Sequence, residues 1–256
     1  RSVNNCNNGR TTFHFEIYPG LLDDEDLQFL AAVPHGLFQF EIGIQSVNSP
    51  ALEAIHRVMD RRTFYIIESL ICTGNIHIHL DLIAGLPFED YAGFAISFNR
   101  VLELKPHQFQ PGILKVLPGT EMMEKSVEYG LAFSPEPPYA VKSTKWLTAE
   151  EMGRITVIAE LVERFYNSGR FMETVRWLHS LFGSPFTFYE KLALFFVNRE
   201  TGRHWEDGAE LLMDFMNMEM PQNAVLLVDY LRWDWCMTGT LHHYPETVKS
   251  AFTKEI

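Results

Sequence analysis

The chain has 256 residues, of which 46% are hydrophobic and 13% aromatic, enough for one large folded domain or two small ones. Its 33 acidic and 21 basic side chains give a net charge of −12, and no Lys/Arg cluster is present, which argues against a nucleic-acid partner. No apolar run reaches membrane-spanning length and the polar start lacks a signal-peptide core, so we expect a cytoplasmic protein with a small-molecule substrate and no membrane partner.

Strand-like and helix-like segments alternate over the first half of the chain. The strands show period-two alternation of apolar and polar residues, and the helices end at Gly or before Pro. This order predicts parallel strands joined by helical crossovers. The predicted strands are 11–18, 37–44, 76–83 and 107–116, and the predicted helices are 23–32, 49–57, 63–73, 90–104 and 119–129.

The second half of the sequence is predicted to be helical. We assign 1–131 to a first domain, 132–147 to a linker rich in Pro, and 148–256 to a helical domain. Thr148 and Glu151 match a capping box, which marks the start of the first of these helices. The predicted helices are 148–166, 170–181, 186–198, 205–218 and 223–237.

The positions of the cysteines and tryptophans do not by themselves predict a functional site. Cys6, Cys72 and Cys236 are scattered, which is typical of a reducing compartment rather than of a disulfide scaffold. Trp233 and Trp235 are expected in a helix core or on a partner surface.

Three successive predicted strands carry polar side chains on one face, although covered parallel strands are usually apolar on both faces. Burying unpaired carboxylates would be costly, so this face predicts a space for water, cations or a polar ligand near the carboxyl ends of the strands. The alternative is a half-solvated sheet facing water. His77 and His79 could chelate a metal, but we prefer them as lining residues and predict no metal site. The polar-face residues include His14, Glu16, Gln39, Glu41, Gln45, His77, His79 and Asp81.

Four segments together resemble the radical S-adenosylmethionine (SAM) superfamily, and within it the branch that often carries an N-terminal cobalamin-binding domain. The resemblance covers about residues 11–130, and the helical tail resembles the uncharacterised C-terminal extension of that branch. It implies an α/β fold, half of a (β/α)6 TIM-like barrel with parallel strands, followed by an all-α region. The segments are FHFEIYP from Phe13, FEIGIQSVNSPALEAIHR from Phe40, LDLIAGLPFED from Leu80 and ILKVLPGTEM from Ile113.

The resemblance also implies cofactors and site residues. Members of the superfamily hold a 4Fe–4S cluster in a Cys-x-x-x-Cys-x-x-Cys loop and cleave SAM to a 5′-deoxyadenosyl radical. Glu16, before Pro19, matches a SAM-contacting glutamate, and Arg57 matches an arginine that pairs with the SAM carboxylate. The ribose contacts match Gln45, Ser46 and Asp81, and the substrate or lumen positions would be His14, Glu41, His77 and His79.

Two departures from the family pattern stand out. The cluster motif is absent, so we expect this chain to be the C-terminal part of a longer radical SAM enzyme. The complete enzyme would catalyse carbon-centred chemistry such as methyl transfer or rearrangement, and this chain alone would be inactive. Phe88 replaces the family glycine after Gly-Leu-Pro, which leaves the shape of that turn open. The first predicted strand would then form an exposed sheet edge that favours self-association.

Two other functions are consistent with the sequence. One is a non-catalytic scaffold with a SAM-like pocket or a protein-binding helical tail. The other is a lyase or hydrolase that uses Glu16, Glu41 and Asp81 as acid and base; it ranks last because no Lys, Cys or metal partner lies at a strand end.

Overall fold

A computed structural model describes residues 9–197, 199, 202 and 204–238. The chain forms two units, one ending at Thr156 and the other beginning at Val157. The helices of the first unit are α1 (Asp24–Ala31), α2 (Ser49–Ala54), α3 (Arg61–Thr73), α4 (Tyr91–Glu103) and α5 (Glu121–Glu124), with α6 (Ala149–Val162) running from the first unit into the second. Its strands are β1 (Phe13–Glu16), β2 (Phe38–Gln45), β3 (His77–Ala84), β4 (Gln108–Ile113), β5 (Ala132–Phe133) and β6 (Val141–Ser143).

The main sheet has four parallel strands in the order β1-β2-β3-β4, each pairing with the next strand along the chain. Right-handed crossovers place successive helices on the same face when the strand order does not reverse. This is the arrangement of a barrel wall, because a doubly wound sheet reverses its order at a switch point. The α/β prediction with parallel strands and a helical C-terminal region is confirmed.

One face of the sheet is buried under helices. Along β2, every second residue from Phe38 to Ile44 is buried, and the polar residues between them are half-buried, as the alternation predicts. Leu80 of β3 is fully buried, and Phe98 of α4 packs edge-on against Phe109 of β4 with ring centroids 5.0 Å apart. The core of the first unit therefore lies on this face, and the polar residues lie on the other.

Two sequence predictions about the segment after β4 are corrected by the structure. The predicted helix 119–129 contains only the single α-helical turn of α5, because Ser126 and Gly130 donate backbone hydrogen bonds three residues back and form tight turns. The predicted linker contains β5 and β6, and Val141 donates to the Leu114 carbonyl. This segment consequently belongs to the first unit.

The second unit consists of helices. A π-helix (Glu163–Asn167) follows α6, and the remaining helices are α7 (Met172–Leu181), α8 (Pro185–Phe196), α9 (Trp205–Glu219) and α10 (Ala224–Met237). Its core is aromatic: the rings of Phe171 and Trp205 stack with centroids 5.2 Å apart. Helix α7 has no capping side chain of its own, and Asp234 of α10 accepts its first backbone N–H groups instead. In the described ranges, no helix is long and apolar enough to cross a membrane.

Candidate functional site

The strand register collects the predicted site residues on the polar face of the sheet. Glu16 lies opposite Glu41, and Glu41 lies opposite His79, so these three side chains form a row across β1, β2 and β3. In the next row towards the carboxyl ends, Gly43 lies opposite Asp81. The sheet thus presents its polar residues in rows that lead to its carboxyl edge.

Gly43 makes room for the end of β2. Gln45 has a positive φ of 70°, and the pairing of β2 with β3 shifts register between Gly43 and Gln45. A Cβ at position 43 would overlap the Gln45 side-chain amide and would lie 3.4 Å from Arg57 Nη2. The missing side chain therefore lets the Gln45 amide and the Arg57 guanidinium meet above β2.

Arg57 reaches the site from a loop, and not from the helix predicted to end at this position. Helix α2 ends at Ala54, His56 has a positive φ of 54°, and the Arg57 backbone N–H donates back to the Leu52 carbonyl. The Tyr18 hydroxyl donates to the Val58 carbonyl at 2.9 Å, which ties this loop to the segment after β1. Among the residues described, no carboxylate forms an ion pair with the half-buried Arg57.

Asp81 is the carboxylate nearest to Gly43 on β3. Its Oδ1 atom is buried and lies 2.9 Å from His79 Nε2, but the two groups are not aligned as a hydrogen bond. A buried acceptor is stabilised by a well-aligned donor, so a hydroxyl or amine group of a ligand would stabilise this position.

The histidines of the polar face differ in their partners. His14 Nε2 lies 3.1 Å from Glu41 Oε2, and both groups are partly exposed. The rings of His77 and His107 lie 5.1 Å apart. Burial lowers the pKa of both, and for His77 repulsion from His107 lowers the pKa further, so both imidazoles favour the neutral form at pH 7.

Ser46, whose contact with the ribose stays a prediction, takes part in a buried hydrogen-bond network. It is fully buried, and its hydroxyl donates to Glu89 Oε1 at 2.6 Å while accepting from the Asn48 backbone N–H at 2.9 Å. Ser97 Oγ also donates to Glu89 Oε1, at 2.8 Å, and accepts from the Val47 backbone N–H. The hydroxyl is therefore engaged inside the protein.

This Glu89–Ser46–Ser97 network is the part of the site that sequence reasoning missed. Glu89 is fully buried, and burial raises its pKa. The network joins the turn that directly follows Gln45 to Glu89, which precedes α4, and to Ser97 in the middle of α4. It holds the end of β2 in place and supports the unusual backbone at Gln45.

The Gly-Leu-Pro turn after β3 has two residues in the left-handed region. Gly85 has a φ of 92°, which favours glycine, and the nearest atom to a Cβ built there would be Met152 Cε, at 3.2 Å. Phe88, at the position of the family glycine, also has a positive φ, of 67°. Its ring packs against Trp146 and Tyr129, with centroids 4.7 and 5.7 Å away. The turn keeps a glycine-like backbone, and ring packing stabilises it.

The described residues do not fit an iron–sulfur cluster. Cys72 and Cys236 are exposed, Cys6 lies outside the described residues, and a 4Fe–4S site of this kind needs three local thiolates. Within the same described ranges, no group of three or more His, Cys, Asp and Glu side chains is arranged to hold a metal ion.

Comparison with known proteins gives a family match and several similar structures, two of which are described below. A family model described as "Protein of unknown function (DUF4080)" matches residues 127–256, which is half of the chain. A comparison with curated protein sequences gave no match.

Two of the similar structures are of radical SAM enzymes. One is the radical S-adenosylmethionine methyltransferase TsrM from Kitasatospora setae with cobalamin and a 4Fe–4S cluster bound: TM-score 0.41, 17% identity, covering 56% of this chain and 29% of that chain. The other is coproporphyrinogen III oxidase HemN from Escherichia coli: TM-score 0.35, 16% identity, covering 68% of this chain and 63% of that chain. The chain thus spans less than two thirds of either enzyme, and at these scores neither similarity establishes an activity.

Proposed function

The chain belongs to the family described as "Protein of unknown function (DUF4080)", and we propose that the carboxyl edge of its parallel sheet binds S-adenosylmethionine as part of a radical SAM enzyme. The observation that carries this proposal is the meeting of Gln45 and Arg57 above Gly43, next to Asp81. These three are among the five residues to which the sequence resemblance assigns SAM contacts, and they lie close together at the end of β2.

The chemistry of these three side chains, together with Glu16, suits the polar groups of SAM. The Arg57 guanidinium can pair bidentately with the SAM carboxylate. The buried Asp81 Oδ1 atom can accept hydrogen bonds from the ribose hydroxyls, and the Gln45 Oε1 atom, also buried without a hydrogen-bond partner among the described residues, accepts a further donor. Glu16 is exposed at the end of β1, and its carboxylate can attract the SAM ammonium group.

SAM supplies methyl-transfer or carbon-radical chemistry when bound. The residues of this chain bind and orient it, and the neutral His77 and the His14–Glu41 pair line the space beside it. The described cysteines do not form a cluster site, so the proposal extends to a complete enzyme in which other residues hold a 4Fe–4S cluster and cobalamin. In that enzyme we propose methyl transfer or a carbon rearrangement on a small molecule.

Isothermal titration calorimetry of the purified chain with SAM tests the proposal. We expect binding, and a loss of affinity of at least about tenfold in Asp81→Ala and in Arg57→Ala, since each removes a charge-assisted contact worth about 1.5–3 kcal/mol. Glu68→Ala, which removes an exposed carboxylate on α3, is the control and should bind as the unaltered chain does. Absence of binding, or binding that neither site variant weakens, would favour the scaffold function instead.

A further inference from the structure

Helix α10 is apolar on two sides. Its buried side faces the core of the second unit through Leu227, Leu231 and Trp235. A second apolar stripe follows the spacing of four, three and four residues, which keeps side chains on one line along an α-helix. The residues of this α10 stripe are Leu226, Tyr230, Trp233 and Met237.

The α10 stripe is largely open to solvent. Trp233 is 61% exposed and Met237 is 73% exposed, and in the part of the chain that the structure describes no side chain covers them. Tyr230 is held in place by Trp177 of α7, whose ring stacks on it at 4.9 Å with an angle of 15° between the planes. Large, rigid aromatic side chains of this kind dominate the energetics of protein interfaces.

The charges beside the stripe are balanced in pairs. Glu173 binds Arg176 at 2.6 Å on α7, and Asp229 binds Arg232 at 3.0 Å on α10. Glu173 and Asp229 line the groove next to Trp233, whose volume is about 410 Å³. Each of these two carboxylates is thus paired with an arginine of its own helix, so the repulsion between like charges of two copies that meet at this groove is reduced.

We propose that the α10 stripe pairs two copies of this chain, with α10 of one copy packed against α10 of the other. Helices with apolar residues at this spacing pack side by side at a shallow angle, each filling the gaps of its partner. A strongly acidic or basic partner is disfavoured because the flanking charges already neutralise each other. Because each copy has a net charge of −12, the acidic surfaces of two copies repel each other. This repulsion opposes contact least at the α10 stripe, which is apolar. The inference is independent of SAM binding.

Sedimentation equilibrium and cross-linking test the pairing. Cys236 is exposed and lies next to Met237, so cross-linking through Cys236 measures whether the α10 stripes of two copies come close together. In a variant with Cys6 and Cys72 replaced by Ser, a short bismaleimide should link two copies through Cys236, and Cys236→Ser should abolish the link. Trp233→Lys should raise the dissociation constant of the dimer by about tenfold or more and suppress the link.

Leu194→Lys is the matched control, because Leu194 is 58% exposed on a different helix, α8, and its replacement should leave the dimer unchanged. Circular dichroism of each variant checks that it folds. A monomer at every concentration, or a dimer that Trp233→Lys leaves intact and that does not cross-link through Cys236, would overturn the proposal.

Discussion

Phe88 holds a backbone conformation that glycine adopts without cost. A non-glycine residue in the left-handed region costs about 1 kcal/mol or more, and here the ring contacts with Trp146 and Tyr129 offset that cost. We predict that Phe88→Ala loses the contacts and keeps the strain, whereas Phe88→Gly loses the contacts and releases it. Phe88→Gly should therefore be the more stable of the two by about 1 kcal/mol in urea unfolding. The opposite order would show that the turn is not strained.

The buried carboxyl group of Glu89 makes the stability of the fold depend on pH. Burial raises its pKa, so the fold favours the protonated acid: its contribution to stability is complete below the unfolded pKa near 4.5 and is lost as pH rises through the raised value. We predict that Glu89→Gln, a neutral isostere, removes this loss. The unfolding free energy of the variant minus that of the unaltered chain should increase as pH is raised from 4.5 to neutrality. A difference that stays constant with pH would contradict the prediction.

Single residues of the site could be predicted only where their role depends on a local motif. Glu16, Gln45, Arg57 and Asp81 came from segment resemblance, and their roles as SAM contacts stay predictions. The role of Gly43 and the burial of Glu89 could not be predicted, because both depend on which atoms of distant segments come close. Glycine inside a strand was the available signal for a close approach.

Among the helices, α7 depends on a residue outside it. Asp234 accepts hydrogen bonds from the backbone N–H groups of Glu173 and Thr174, at 3.0 and 2.9 Å. We predict that Asp234→Ala lowers the unfolding free energy by about 2 kcal/mol, because it leaves one buried and one partly buried donor without this acceptor. Asp234→Asn keeps an acceptor oxygen and should lose less than Asp234→Ala. Equal losses in the two variants, measured by chemical denaturation, would contradict this assignment.

The outer edge of β1 is open among the residues described. The N–H groups of Phe13 and Ile17 point towards β2, so by alternation that of His14 points outward. We predict that β1 edges pair and give species larger than the α10 dimer, and that His14→Pro, which removes an outward donor and no ladder bond, reduces them. Sedimentation velocity measures these species, and circular dichroism confirms that the variant folds. Their persistence in His14→Pro would contradict edge pairing.

At the level of elements, periodicity predicted the strands better than the segment after them. The alternation in β2 and β3 reflects one buried and one polar face, so the residue pattern alone predicts both strands. The pairing of Val141 with Leu114 is a long-range contact between segments of weak periodicity, and proline suggested a linker instead. The capping box at Thr148 was predicted correctly, because its hydrogen bonds with Glu151 are local.

The charge of the whole molecule sets how readily copies meet. With a net charge of −12, long-range repulsion opposes association, and added salt screens it over about 10 Å at 0.1 M. We predict that the dissociation constant of the dimer falls as NaCl is raised from about 0.05 to 0.5 M, because the stripe itself is neutral. A dissociation constant that rises with salt, measured by sedimentation equilibrium, would point to ion pairs between the copies instead.

The strand order also bears on how the chain acquires its structure during synthesis. Each strand of the main sheet pairs with the one made just before it, separated by a single crossover. A growing chain can therefore add β2 to β1, then β3 to β2, then β4 to β3, as each segment leaves the ribosome, and no strand waits for a partner translated much later.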